Sequence, residues 1–145
     1  MSGILVGVDG SGHSQRALEW AAKEAAARHT SLTVLVVHQA VHGWAGSLRY
    51  GGDEAETEKT AQAAKAETDK VLAGLGDSRP ESVTVRAVHG YPAEELINAS
   101  ADADIIVLGS HGTGGWSRQM LGSVASKVVH HADVPILIVP AERRR

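Results

Sequence analysis

Short apolar runs alternate with longer amphipathic stretches along the whole chain. Ile4-Leu5-Val6-Gly7-Val8 is apolar without alternation, the pattern of a strand buried on both faces. Asp9-Gly10-Ser11-Gly12 reads as the turn that ends it. Ser14 fits a helix N-cap, and the pattern predicts a helix to about Arg28. Ala17, Leu18, Ala21, Ala22 and Ala25 fall on one stripe of that helix. Leu32 to Val37 reads as a second buried strand. The stretch from Val41 to about Asp53 carries Gly43, Gly46, Gly51 and Gly52 beside Trp44 and Tyr50. It is long for a helix–strand connection, and two readings stay open, a flap over a site or a plain surface loop. A helix is predicted from about Glu54 to Ala73, with Ala61, Ala64, Thr68, Val71, Leu72 and Leu75 inward and Gly74 and Gly76 ending it.

Val83 to Val88 alternates more than the other strands, as expected at a sheet edge. His89-Gly90-Tyr91 reads as a turn, and Pro92 sits where a helix starts. Leu96, Ile97 and Ala101 mark that helix's apolar face. The strand Ile105 to Leu108 follows, then a glycine-rich loop, a helix from Val124 to about Ala132, and a last strand from Pro135 to Val139. Strands and helices that alternate at this spacing imply an α/β domain with an open five-stranded parallel sheet and helices on both faces. The expected organisation is one domain over residues 1–145.

The loop after the fourth strand changes the picture from fold to chemistry. Gly109-Ser110-His111-Gly112-Thr113-Gly114-Gly115 follows an apolar strand, and Gly122-Ser123 precedes a helix. Glycine has no Cβ to hold a ligand away from the backbone. The unpaired N–H groups at a helix start favour an anion. In an open parallel sheet, ligands sit at the carboxyl ends of strands where the winding reverses. With strand order 3-2-1-4-5 that point lies between the first strand, ending at Asp9, and the fourth, ending at Gly109. Pattern alone does not fix that order. Asp9 could also do no more than cap its own turn, and Gly112 and Gly122 could be ordinary turn and cap glycines.

Charge and composition narrow the partners. The chain has 145 residues and a formal net charge of −3. Its only basic cluster is Arg143-Arg144-Arg145, so nucleic acid is not an expected partner. No cysteine is present, which removes disulfides, thiolate metal sites and a cysteine nucleophile. No stretch approaches the roughly 20 apolar residues of a membrane span. The amino-terminal apolar run is short and lacks a basic lead-in, so no signal peptide is expected and the expected location is the cytoplasm. With no Phe, the core must be aliphatic. His130 and His131 are adjacent and would point about 100° apart on a helix. His38, His42, His89 and His111 lie near the predicted ligand end, but they match no known ligand spacing, so a structural metal is not expected.

The spacing Gly109-x-x-Gly112-x9-Gly122-Ser123 resembles the ATP-binding signature of the universal stress protein family. So do Val6-Gly7-Val8-Asp9-Gly10-Ser11, Gly90-x-Pro92, and Val134-Pro135-Ile136-Leu137-Ile138-Val139-Pro140. The likeness covers nearly the whole chain. It implies a Rossmann-like doubly wound sheet that binds ATP or AMP, with or without Mg²⁺. By position, Asp9 would border the ribose or a phosphate-bound metal ion, with Gly10 and Ser11 as further nucleotide-binding residues of the same turn. Backbone at His38 and Gln39 would border adenine. Gly109, His111 and Gly112 would pass under the ribose and α-phosphate. Gly122, Ser123 and Val124 would offer N–H groups, and Ser123 its hydroxyl, to the outer phosphates. The likeness also implies a homodimer through the final strand, Ile136 to Val139.

Three functions compete on these residues. The first is a nucleotide-dependent regulator in a stress response, with at most slow ATP hydrolysis, since no residue stands out as a general base for water. The second is an adenylating or nucleotidyl-transfer enzyme domain of related architecture. The first turn has neither a Ser-Gly-Gly loop nor a paired-histidine signature, and Walker A is missing. A G-x-S-x-G nucleophile elbow is missing too. The third is a protein-interaction module with an empty site, which the intact glycine signature disfavours.

Overall fold

The computed structural model describes residues 3–9, 12–39, 53–110 and 121–140. Five strands form one parallel sheet in the order β3-β2-β1-β4-β5. They are β1 (Gly3–Val8), β2 (Ser31–Gln39), β3 (Ser82–Gly90), β4 (Ile105–Gly109) and β5 (Ile136–Val139). Among the described residues four α-helices connect them: α1 (Gly12–Ala27), α2 (Asp53–Ala73), α3 (Pro92–Ala99) and α4 (Ser123–His131). A 3₁₀ turn, Ser100–Asp102, extends α3.

The apolar strands are buried on both faces because successive side chains point to opposite sides. Ile4, Val6 and Val8 of β1 join Leu32, Val34 and Val36 of β2 in one core, with Ala17, Leu18, Ala21, Ala22 and Ala25 of α1 and Ala64, Val71 and Leu72 of α2. Leu5 and Leu35 point the other way, to Ala93 and Leu96 of α3 and to Ala125 and Val128 of α4. The doubly wound expectation holds, with α1 and α2 on one face and α3 and α4 on the other. The alanine stripe of α1 is wholly buried, so small side chains bring this helix close to the sheet.

Several local expectations shift. α1 begins at Gly12 rather than after Ser14, so Ser14 lies inside the first turn instead of capping it. Its hydroxyl oxygen accepts the Asp9 N–H at 3.2 Å and ties the end of β1 to the helix. His89 and Gly90 are not a turn. They pair with His38 and Gln39 and lengthen β3, because an edge strand keeps its ladder as long as its neighbour continues. Tyr91 is the N-cap of α3 and Pro92 starts the helix, as expected. The edge position of β3 is also as expected, with Ser82, Thr84 and Arg86 exposed. The flap or loop expectation for Val41 to Asp53 falls almost wholly outside the described residues.

Backbone hydrogen bonds close the end of α1. Thr30 N–H reaches the Ala25 carbonyl at 3.0 Å, and His29 takes the left-handed conformation, φ 52°. Gly7 meets a different need. A Cβ there would lie 2.9 Å from Leu96 Cδ2 and 3.0 Å from Leu108 Cδ2, both buried leucines. Glycine at this position lets α3 and β4 close against β1. Gly7→Ala should destabilise the fold by about 1–3 kcal/mol through overpacking. Urea denaturation at constant m-value would measure it, and an unchanged midpoint would show that the leucines yield freely.

Candidate functional site

The strand order makes β1 and β4 neighbours, with Ile4, Leu5 and Val6 in register with Ile105, Ile106 and Val107. The chain leaves β1 toward β2 and β3, and β4 leads away to β5 on the other side. The winding therefore reverses between β1 and β4. Asp9 follows one of these strands directly, and Gly109 ends the other. β2 is paired with β1 on the opposite side, which brings His38 and Gln39 to the same end of the sheet. Of the residues predicted from sequence, Asp9, His38, Gln39 and Gly109 thus share the carboxyl edge of the sheet. Gly10, Ser11, His111 and Gly112 lie outside the described residues.

The loop from Gly109 to Gly122 is closed at its base. Gly122 N–H donates to the Ser110 carbonyl at 2.7 Å, and Ser110 N–H donates to the Val139 carbonyl at 2.9 Å. Ser110 is buried, and its main chain joins β5 to the returning loop. Gly122 is the N-cap of α4, with φ −63° and ψ 162°, a conformation open to any residue. Its N–H is already spent on closure. The Ser123 and Val124 amides are in the first turn of α4 and have no intrahelical carbonyl to meet. Ser123 is exposed at that start and Val124 half-buried. The positive end of the α4 dipole and these amides make the start of α4 receptive to negative charge.

Other side chains around this edge carry no signature in the sequence. Arg16, in the first turns of α1, donates from Nη1 to the Pro140 carbonyl and fixes the end of β5. Glu67, in the last third of α2, is held above the usual carboxylate value by burial and then by the negative charge of Asp9, with Lys70 opposing. Asp9 and Glu67 are thus close enough to repel. Heptad spacing on α2 shows Glu67 only as one more polar position, so no one-dimensional signal pairs it with Asp9. Among the described residues, no group of three or more His, Asp or Glu side chains stands ready for a metal ion. No described helix is long and apolar enough to cross a membrane.

The Glu67 shift has a definite sign. A carboxyl whose folded pKa is raised adds stability at low pH, below its ordinary value near 4.5, and that stability is lost as pH rises through the folded value. Glu67→Gln, which carries no charge at any pH, should therefore raise the melting temperature relative to wild type at pH 7 and confer less advantage at pH 4. Thermal unfolding of both proteins at the two pH values checks this. An equal difference at both would mean that folding does not raise the Glu67 carboxyl.

Similarity to known proteins agrees with this architecture. The universal stress protein family model matches residues 1–140. Universal stress protein Rv1996 of Mycobacterium tuberculosis is 35% identical over 155 aligned positions, covering 98% of this chain and 49% of the relative. The chain thus spans about half the length of these curated relatives. Among solved structures, the universal stress protein UspA from Lactobacillus plantarum superposes with a TM-score of 0.75 at 26% identity, over 95% of this chain and 97% of that one. The universal stress protein from Archaeoglobus fulgidus in complex with dAMP superposes with a TM-score of 0.59 at 27% identity, over 95% and 97% of the two chains. With the doubly wound sheet, the closed glycine loop and these matches in agreement, this chain belongs to the universal stress protein family.

Proposed function

We propose that this chain binds ATP or AMP in the crevice between β1 and β4 and acts as a nucleotide-dependent regulator in the cytoplasm. One observation carries the reading: the reversal of winding between β1 and β4, with Asp9 after one strand and the closed glycine loop after the other. The dAMP complex of the Archaeoglobus fulgidus relative supports an adenine nucleotide as the ligand class. In this reading the outer phosphates meet the Ser123 and Val124 amides and the Ser123 hydroxyl. Gly122 contributes by letting the loop close while leaving room above it. The main chain at His38 and Gln39 reads the base edge, which favours adenine over guanine. His111 and Gly112 pass under the ribose, and Gly10 and Ser11 complete the turn beside it. The mutual repulsion of Asp9 and Glu67 supports a divalent cation such as Mg²⁺ between Asp9 and the phosphates, since a polyanion alone would add to that repulsion.

Calorimetry should find micromolar ATP affinity and much weaker GTP, and equal affinities would overturn the base assignment. Gly122→Glu should abolish binding while keeping the fold, because the Gly122 backbone conformation accepts any side chain. The added carboxylate forfeits a charge–dipole term on the order of 0.3–1 kcal/mol, and steric exclusion and direct repulsion add to that. A folded variant that binds ATP normally would put the phosphates elsewhere. Mass spectrometry of the denatured, purified protein would show whether ATP, AMP or neither travels with it.

A homodimer through β5 belongs to the same proposal. β5 is the sheet edge opposite β3, and Pro135 and Pro140 bracket it. β3 presents polar residues to solvent, whereas β5 is Ile136-Leu137-Ile138-Val139 throughout. A bare apolar edge invites pairing. The matched relatives are about twice as long, which leaves room in one chain for two units of this size. Ile138 packs against the α3 and α4 core, so Ile138→Lys would disturb the fold rather than report assembly. Leu137 is 36% exposed and is the better probe. Leu137→Lys should convert a dimer to a folded monomer by light scattering. Wild-type protein that is monomeric at high micromolar concentration would overturn the dimer.

A further inference from the structure

His38 and His89 face each other across the β2–β3 ladder as register partners at the carboxyl end of the sheet. Their ring centroids are 5.4 Å apart and the planes are inclined by 40°. Both lie on the α1 and α2 face, since Val34 and Val36 precede His38, and Val85 and Ala87 precede His89, on that side. His38 is half-buried and His89 exposed. Among the described residues, neither ring makes a hydrogen bond. Two imidazoles are thus held side by side by strands, with their nitrogens unclaimed and one side open to water.

We propose that this pair is a binding site for a divalent transition-metal ion of the Zn²⁺, Ni²⁺ and Cu²⁺ group. An imidazole nitrogen sits about 2.0–2.1 Å from a bound zinc ion, which puts each ring centroid about 3.2 Å from the metal. Two rings whose centroids are 5.4 Å apart then subtend about 115° at the ion, close to a tetrahedral angle. The strand spacing suits a shared ion once side-chain rotation turns one nitrogen of each ring toward it. Imidazole suits these metals, whereas Mg²⁺ and Ca²⁺ require oxygen ligands. No third His, Asp or Glu joins the pair among the described residues, so water completes the coordination. The site is therefore an exchangeable one and not a structural centre that folds the chain. The main chain at His38 is also assigned to the base-binding end of the crevice, but the metal site does not depend on that assignment.

Zinc titration calorimetry on the full chain tests the proposal. Wild type should bind one Zn²⁺ tightly enough to measure, unaffected by millimolar Mg²⁺. His89→Ala and His89→Gln should each weaken Zn²⁺ at least tenfold, with circular dichroism unchanged and ATP affinity unchanged. His130→Ala should leave Zn²⁺ binding as it was, since that ring already contacts the Ser126 carbonyl through Nδ1. With one equivalent of Cu²⁺, the electron paramagnetic resonance spectrum of wild type should show two nitrogen ligands. Zinc binding that survives in both His89 variants, a Cu²⁺ spectrum without two nitrogens, or no Zn²⁺ binding below millimolar concentration would each overturn the site.

Discussion

Everything at the carboxyl end of the sheet depends on the parallel pairing of β1 with β4. Both strands are buried on two faces, so their register is doubly specified. A slip of one residue would exchange Ile4 and Val6 for Leu5 and Gly7 against α1 and α2. That exchange would press Leu5 into the space made for Ile4 and Val6 and would leave the close approach of Leu96 and Leu108 without its glycine. The pairing is therefore stiff, and it holds the ends of two differently wound strands in fixed relation. The crevice above them follows from topology, because the connections leaving β1 and β4 go to α1 and α4 on opposite faces of the sheet.

The edge above that pairing is electrostatically uneven. The start of α4 presents amides and the positive end of a dipole. Asp9 and Glu67 present two carboxylates near each other, with Lys70 a partial counterweight. Positive and negative potential thus lie on different sides of one sheet edge. Ser110 sets the spacing between the parts. Its N–H holds β5 and its carbonyl holds Gly122, so the glycine loop leaves and returns at one point of the sheet. Ser14 and Arg16 do comparable work on the other side, fixing the Asp9 turn and the end of β5 to α1.

The two sheet edges are built differently. β3 alternates, with Ser82, Thr84 and Arg86 outward, a composition that resists further strand addition. β5 has no polar position, and it is held by Pro135 and Pro140 at its ends and by Ser110 and Arg16 at its close. The polar edge also carries His89, whose position beside His38 depends on β3 running two residues past its apolar part.

The sequence by itself determined what local periodicity can encode. Continuous apolar runs announced strands covered on both faces, and the Ala17 to Ala25 stripe announced the buried side of α1. The glycine spacing after β4 marked a loop of unusual backbone, and Pro92 marked a helix start. These are consequences of each residue's own geometry and of its neighbours three or four positions away. Tertiary structure decided what lies beside what. Sequence pattern leaves the strand order open, and packing puts β1 between β2 and β4. Glu67 within electrostatic reach of Asp9, Ser14 as an acceptor rather than a cap, and His38 beside His89 have no signal along the chain. Each joins segments through a strand register or a helix docking angle. Those are settled by how two cores pack on one sheet, a property of the whole assembly of elements and of no single stretch.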